Sequence, residues 1–227
     1  MPTLNELTYQ VLEAVRNDIT DDDSIDKRLI HDIIHGQRAL WLRNELNKDR
    51  HISDVFIQRL NCLPVSLVDA AECCDFSSDC KVLRTQQQIP QPIGLHNKDA
   101  IVRVGPTILT LRPYSFMTYD RALFFGNGRV NRHSKAAYLR NGYIYVVSKD
   151  PAVNLLQSIS VHGIFENPTE VTDLISCDGS PCWSVDDEYP ITEWLWQYVR
   201  PEVQKILIAK LSIPSDRSND NAPPNTR

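Results

Sequence analysis

Two histidines that lie four residues apart are the first groups in this chain with the potential for chemistry. The stretch His31-Asp32-Ile33-Ile34-His35 resembles the pattern H-E-x-x-H, in which both histidines bind one zinc ion from the same helix face while the glutamate activates water. Here an aspartate replaces the glutamate, no downstream helix offers an obvious third ligand, and Arg28 and Arg38 flank the pair. Because neighbouring positive charge disfavours a cation, we expect no metal site. A zinc-dependent hydrolase on His31 and His35 is kept only as an alternative.

The cysteines are the second group to consider. The chain has six, and four of them, Cys62, Cys73, Cys74 and Cys80, are clustered in the sequence. Their spacing, C-x10-C-C-x5-C, differs from a pair of C-x2-C zinc knuckles, and adjacent cysteines in a strand point to opposite faces. A chain of 227 residues can bury a sufficient core without cross-links, and a reducing cytosol keeps thiols reduced. We therefore expect free thiols and no structural disulfides, with zinc at the four clustered cysteines as the alternative.

A basic loop is the third candidate. It contains Gly126-Asn127-Gly128, followed by Arg129, Arg132 and Lys135. The glycines match neither a phosphate-binding P-loop nor a dinucleotide fingerprint, because the remaining spacing is missing, so they indicate a turn. The three cations suit DNA phosphates, which attract accessible positive charge without a fixed motif, and they suit an acidic protein surface equally well. We predict that they face DNA or another subunit, and we expect no cofactor.

Charge is distributed unevenly along the chain. The net charge is −5 at pH 7, yet residues 103–149 contain eight Lys or Arg residues and one acid. Residues 150–227 contain twelve acids and five basic residues, and the first 26 residues contain seven acids and one arginine. Such segregation of charge is informative about the partners of a protein rather than about its fold. Either the opposite segments meet within one molecule, or they form complementary surfaces between subunits or a basic face toward nucleic acid.

Composition places the chain among ordinary globular proteins, with 42% hydrophobic and 23% charged residues. No apolar run approaches the length needed to cross a bilayer, and the start MPTLNELTYQ lacks the basic and apolar regions of a signal peptide. These features predict a protein that folds in a cytosol and has no membrane partner.

Two amphipathic helices are predicted at the N-terminus, joined by a short polar turn. Thr3 and Glu6 have the spacing of a capping box. Apolar residues of the first helix then recur at helical intervals: Leu4, Leu7, Val11, Val15 and Ile19. The second helix, predicted over residues 24–48, has its own apolar face, formed by Ile25, Leu29, Ile33, Ile34, Leu40 and Trp41. Its polar face contains Arg28, His31, His35 and Arg38, and we predict that this face meets DNA or a neighbouring subunit.

A β-rich region follows the helices. Short apolar runs predict five to seven mostly antiparallel strands, at residues 56–68, 81–89, 101–104, 108–111, 138–139, 143–147 and 159–165. Pro64 lies within the first run and favours an edge or a bulge over a central strand. Asn141-Gly142 between two runs predicts a type I′ hairpin turn.

The last predicted element is a helix over residues 191–211, in which Pro201 should cause a kink or begin a new turn. Trp194 and Trp196 lie on nearly opposite faces of this helix, so one is expected in the core and the other at an interface. Residues 212–227 are polar and proline-containing, which predicts a disordered tail. The chain is thus predicted to be α+β, with a helical hairpin (1–50), a β-rich region (51–185), a C-terminal helix (186–211) and a flexible tail (212–227).

Several local strings carry a resemblance over nearly the whole chain. They are ALWLRNELNK at the end of the helical hairpin, AECC and CKVLRT around the cysteines, VHGIFENPTEV, and DDEYPI before the last helix. With this order of elements, the chain resembles structural proteins of crAss-like bacteriophages, specifically the ring proteins of the head-to-tail connector and tail barrel. These strings contain no catalytic residues, and the resemblance implies a protein that is not an enzyme.

The resemblance implies a virion subunit, one of twelve copies around the portal axis, made in the host cytoplasm and located at the portal vertex. Its implied partners are other copies of itself, the portal protein, further ring or tail proteins, and packaged DNA passing through a central channel. Separated charges and a polar tail are compatible with stacking on unlike neighbours. The alternative from the residues alone is a nucleic-acid-binding module that uses the basic segment 103–149.

Overall fold

The computed structural model describes residues 2–16, 26–48, 53–69, 81–96, 98–125 and 133–211. These residues form helices at both ends and a sheet between them, which confirms the α+β prediction. The helices are α1 (Leu4–Val15), α2 (Lys27–Asn47), α3 (Tyr119–Leu123) and α4 (Glu193–Leu211). The strands are β1 (Gln58–Asp69), β2 (Lys81–Thr85), β3 (Ile101–Gly105), β4 (Ser115–Phe116), β5 (Ala136–Arg140), β6 (Tyr143–Val147) and β7 (Ser158–Gly163). Within the described ranges, no helix has the length and apolar character required to span a membrane.

Helix α1 begins at the predicted capping box. The Thr3 backbone N–H donates to Glu6 Oε2 at 2.9 Å, and the Glu6 backbone N–H donates to Thr3 Oγ1 at 3.3 Å. These two bonds satisfy N–H groups that the first helical turn leaves without partners. The apolar face of α1 is buried, so local sequence signals determine both where this helix starts and which side packs inward.

Helix α2 is capped by Asp26, whose Oδ1 accepts a hydrogen bond of 2.9 Å from the Arg28 backbone N–H. The polar turn predicted between the two helices lies outside the described residues. The predicted packing of α2 against α1 is confirmed, but α4 lies along α2 as well. One apolar cluster therefore unites the three long helices, and it includes Trp196, whose Nε1–H donates to Gln10 Oε1 of α1 at 2.8 Å. Helix α4 continues through Pro201.

The strands form one sheet in the order β3-β7-β1-β2-β6-β5-β4. Neighbouring strands are antiparallel except for β4 and β5, which are parallel. The sheet curls until its two edges meet. The Tyr114 backbone N–H, just before β4, donates to the Val104 carbonyl of β3 at 2.8 Å. Inward-facing side chains from most of the strands fill the enclosed space as a second apolar cluster. A curled sheet of this kind leaves little free edge for unwanted pairing.

Strand β1 changes partners halfway along. Residues up to Pro64 pair with β7, and residues from Val65 onward pair with β2. The register shifts between Leu60 and Leu63, and Cys62 within this bulge has a positive φ of 59°. The predicted bulge is confirmed, whereas the predicted edge position is wrong, since β1 lies between β7 and β2. Proline is accommodated at the point where the strand exchanges one ladder for another.

The predicted hairpin turn is present, whereas one of the predicted strands is not. Asn141 and Gly142 join β5 to β6 with φ values of 51° and 78°, which matches the type I′ prediction. The predicted strand at residues 108–111 is wrong, since this segment forms turns with exposed side chains. The place beside β3 is taken by the returning residues 113–114, so close that a Cβ on Gly105 would lie 3.2 Å from Pro113 Cα.

Candidate subunit interfaces

The polar face predicted for α2 is divided between the surface and the interior. Arg28 is exposed and His31 is half-buried, but His35 is buried and Arg38 has no exposed surface at all. The expectation that His35 and Arg38 face DNA or a neighbour is therefore corrected by their burial within the subunit. The physical reason is that α4 and the segment before it, residues 189–192, cover this side of α2.

Arg38 joins three parts of the fold. Its Nε–H donates to the Pro190 carbonyl at 2.8 Å, and its Nη1 donates to the Phe165 carbonyl at 2.9 Å. Its guanidinium carbon also lies 5.7 Å from the centre of the Tyr189 ring, within the range of a cation–π contact. Burial lowers the pKa of this arginine, although the reference value is too high for the charge to be lost at ordinary pH. Arg38 thus links α2 both to the end of β7 and to the approach to α4.

His35 is held neutral by its surroundings. Its Nδ1 shares a hydrogen bond of 2.8 Å with the Tyr189 hydroxyl. Burial, and then the nearby charge of Arg38, lower the pKa of His35 from 6.5 to about 3. Burial likewise raises the pKa of Tyr189. The described residues include no group of three or more His, Cys, Asp or Glu side chains placed to hold a metal ion.

Acidification is expected to destabilise the subunit through His35. Because its folded pKa of about 3 lies below its ordinary value of 6.5, the unfolded chain binds the extra proton first. Stability is therefore full above pH 6.5 and falls as the pH drops toward 3. Urea unfolding followed by tryptophan fluorescence should show a loss of about 2 kcal/mol between pH 7 and pH 5 from this group.

His35→Asn is the variant that tests this assignment, with His96→Asn, an exposed histidine, as the matched control. We expect the pH-dependent loss to shrink in His35→Asn and to remain in His96→Asn. An equal loss in all three proteins would show that other groups cause the pH dependence.

An aromatic cluster is exposed where α2 and α4 meet. Trp41 lies 5.2 Å from Trp194 and 5.3 Å from Tyr198, measured between ring centres. Trp194 is 47% exposed, whereas Trp196 on the opposite side of α4 is 2% exposed. The two tryptophans therefore divide between surface and core. Exposed tryptophan and tyrosine in a rigid cluster are typical of the residues that dominate protein–protein contacts.

A basic pocket of about 400 Å³ lies where the two edges of the curled sheet meet. Its walls include Arg112, Tyr114, His133 and Lys135. Lys135 Nζ lies 5.7 Å from the centre of the Tyr114 ring, and His133 Nδ1 lies 3.6 Å from Asp150 Oδ2. The structure thus places Lys135, a predicted contact residue, in a pocket. The predicted contacts Arg129 and Arg132 lie outside the described residues.

The prediction of free thiols is wrong for one pair of cysteines. Cys62 and Cys177 form a disulfide, with Cα atoms 5.4 Å apart, across 115 positions of sequence. They meet because the turn containing Cys177 lies beside the bulge of β1, where the Ser176 hydroxyl donates to the Asn61 carbonyl at 3.0 Å. As a disulfide, Cys62 is no longer a thiolate ligand for zinc. Cys182 is a free, half-buried thiol, and Cys73, Cys74 and Cys80 lie outside the described residues.

Sequence reasoning missed Arg112, Tyr114, Cys177 and Tyr189 as functional or structural partners. Each of them acts through a residue distant in sequence, so no local spacing identifies the pair. The unequal charge of residues 103–149 was the one signal that pointed toward Arg112.

Comparison with known proteins identifies the class of this chain. A family model described as phage tail ring protein 2 matches residues 6–225. A curated protein named Ring protein 2, from Bacteroides phage crAss001, is 26% identical over 227 residues, covering 96% of this chain and 96% of that protein. The class defined by these matches is a structural protein of a bacteriophage virion.

The chain belongs to the phage tail ring protein 2 family. The resemblance predicted from its sequence strings is therefore confirmed.

Proposed function

We propose that this chain forms a ring of identical subunits in the head-to-tail connector, with the portal protein on one side and other ring or tail proteins on the other. Twelve copies around the portal axis would enclose the channel through which DNA passes. The family match over residues 6–225 is the observation that carries this proposal. The proposed role is structural, with neither catalysis nor a cofactor.

The surface of the subunit supports this role. A closed ring with head-to-tail contacts uses two different faces of each subunit, one of which meets the other on the next copy. Exposed apolar side chains occur at separate places in the fold. One group is the cluster of Trp41, Trp194 and Tyr198, and another lies near the basic pocket, at Ile108, Leu111 and Leu155. Because a subunit that functions alone has little use for several such patches, we propose that Trp194 is an interface residue.

DNA contact remains part of the proposal only for the predicted contact residues that the fold does not bury. Arg28 is exposed and His31 is half-buried on α2, and the predicted contacts Arg129 and Arg132 precede β5 in the sequence. In a channel these groups would face DNA or an adjoining subunit. A channel that lets DNA slide requires weak, salt-screened contacts rather than tight binding, which agrees with a net charge of −5.

Electron microscopy of purified virions tests this proposal. We expect a ring of this chain at the portal vertex, with Trp194 covered by an adjoining subunit and Trp196 inside the fold. A virion map in which the portal vertex and tail contain no copy of this chain would refute the proposal.

The nucleic-acid-binding alternative makes a different prediction. If the basic segment 103–149 is a binding module, the isolated subunit should bind duplex DNA with an affinity that falls steeply with salt. Weak or undetectable binding by fluorescence anisotropy is the result expected of a ring subunit.

A further inference from the structure

The basic pocket has the features of a site for an oxyanion. Arg112 and Lys135 contribute two cations to its walls, and Asp150 offsets part of this charge through His133. Tyr114 also lines the pocket and is 9% exposed, and its hydroxyl has no hydrogen-bond partner among the residues that the structure describes. The protein encloses this hydroxyl, so the groups that a ligand in the pocket can reach are the two cations, whose charge an anion would balance.

The surroundings of the pocket favour a protein ligand over DNA. Leu111 lies in the pocket wall itself, while Ile108 and Leu109 are nearby in sequence and Leu155 precedes the lining residue Leu156. All four side chains are exposed, Leu155 to 81%. Surfaces that bind DNA are polar and strongly basic, whereas a protein contact combines apolar side chains with a few polar anchors. The oxyanion is therefore best supplied by a carboxylate from a partner that also presents apolar groups.

The chain itself contains an exposed acidic turn of this kind. Asp178 lies in the turn between Ile175 and Pro181, which pair through a β-bridge. Gly179 adopts a positive φ of 82° in this turn, and the Ser176 backbone N–H donates to the Ser180 carbonyl at 2.8 Å. Ile175 is 50% exposed. The turn thus presents a carboxylate together with an aliphatic side chain, complementary to the pocket and its leucines.

The acidic turn is held rigidly in place. The Cys62–Cys177 disulfide attaches it to the bulge of β1, and the Ser176 hydroxyl donates to the Asn61 carbonyl on the same bulge. The Ile175 backbone N–H donates to Gln87 Oε1, just after β2, at 3.4 Å. A turn fixed before binding loses less conformational entropy when it docks, so these restraints favour its use as a contact.

Pocket and turn are attached to different strands of the curled sheet. The pocket is at the seam where the edge strands β3 and β4 meet. The turn is attached to β1 and to the end of β2, which occupy the middle of the strand order. In a sheet curled upon itself, the middle strands lie across from the seam. The strand order thus separates the two complementary features within one subunit, which is compatible with a head-to-tail ring.

We propose that the Asp178 turn of one copy inserts into the pocket of the next, where its carboxylate meets Arg112 and Lys135. This contact rests on the proposed ring and specifies its lateral interface. Ile175 packs against the exposed leucines around the same pocket. Asp178 already accepts hydrogen bonds from the Ser180 backbone N–H and hydroxyl, and a carboxylate has further acceptor sites for the partner cations.

Charge reversal tests the contact in assembled particles. A phage that lacks this gene would be complemented with variant chains, and the copies per purified particle would be measured by quantitative mass spectrometry. We expect Asp178→Arg and Arg112→Glu each to reduce incorporation by at least about tenfold, since interfacial charge pairs are costly to break. The two variants combined in one chain should restore incorporation. Glu13→Arg, an exposed acid on α1, is the matched control and should incorporate normally.

Asp178→Asn is the control that distinguishes a lost contact from a folding defect, because the amide preserves the size of the side chain and the acceptor for Ser180. It should also lower incorporation while urea unfolding of the subunit stays unchanged. Single variants that incorporate normally, or a double variant that stays as deficient as the singles, would overturn this contact.

A map of wild-type virions separates this contact from the ring itself. A ring of this chain with the Asp178 turn in the neighbouring pocket supports both proposals. A ring in which DNA phosphate or another virion protein occupies the pocket overturns only the contact. A virion without this chain overturns the ring.

Discussion

Replacing Arg38 with alanine is expected to lower the free energy of unfolding of the subunit by about 3 to 5 kcal/mol. The substitution leaves the carbonyls of Pro190 and Phe165, which Arg38 binds at 2.8 and 2.9 Å, without these partners inside the protein. It also leaves a cavity where a long side chain was fully buried. Urea unfolding followed by tryptophan fluorescence measures the change.

The controls separate this role from a general effect of charge. Arg43→Ala removes an exposed arginine from the same helix and should change stability by less than about 0.5 kcal/mol. Arg38→Lys keeps a positive charge but cannot reproduce the forked geometry, so it should recover only part of the loss. If Arg38→Ala and Arg43→Ala unfold at the same urea concentration, Arg38 does not hold the two carbonyls as described.

The destabilisation caused by Arg38→Ala should not be confined to α2. Phe165 follows β7, and Pro190 precedes α4, so one side chain links the helical layer to the curled sheet. Because Arg38 binds backbone on both sides, we expect the two apolar clusters to unfold together. We expect Arg38→Ala to loosen the contact between helices and sheet rather than to melt one helix alone.

Removing the Cys62–Cys177 disulfide is the second large effect, expected to cost about 2 to 5 kcal/mol. The bond joins residues 115 positions apart, and in the chain-entropy account a longer closed loop restricts the unfolded chain more strongly. Cys62→Ser and Cys177→Ser should therefore unfold at lower urea concentrations than the oxidised wild-type subunit. Adding reductant should reproduce the loss in the wild type and leave both variants unchanged.

Cys182→Ser is the matched control, because Cys182 is a free thiol in the same region. Peptide mapping of purified virions without reductant should recover the peptides of Cys62 and Cys177 linked together, since a thiol pair that stays reduced in the cytosol can oxidise after release. Recovery of both cysteines as free thiols from particles would contradict the bond.

The disulfide also bears on assembly, because it anchors the Asp178 turn. Loss of the bond should weaken a contact that depends on a fixed turn, even if the subunit stays folded. A Cys177→Ser subunit that incorporates as well as the wild type would show that the hydrogen bonds from Ser176 and Ile175 suffice to hold the turn.

Local signals in the sequence predicted several elements correctly because the chemistry behind them is local. Thr3 and Glu6 are three residues apart and cap α1 in the way that their spacing requires. Asn141 and Gly142 supply the two positive φ angles of a hairpin turn. Helical periodicity likewise put Trp194 and Trp196 on opposite faces of α4, and the structure shows that Trp196 is the one in the core and Trp194 the one on the surface.

The errors arose where a residue's environment depends on distant segments. Helical spacing put Arg38 and His35 on a polar face, but it could not reveal that Tyr189 and Pro190 cover that face. Composition argued against disulfides, but it could not show that Cys177 reaches the bulge of β1. Pro64 correctly indicated an irregular strand, and only the pairing with β7 and then β2 showed it to be central.

The amino-acid order alone therefore established the α+β class, the start of the first helix, the β5–β6 hairpin and the resemblance to phage ring proteins. Each of these depends on interactions between residues a few positions apart or on strings that can be compared directly. Long-range packing decided that Arg38 is a buried link, that Cys62 is bonded, and that Arg112, Tyr114 and Lys135 share a pocket. These features depend on which surfaces meet when the sheet curls, and curling brings together residues whose separation in sequence carries no local signal.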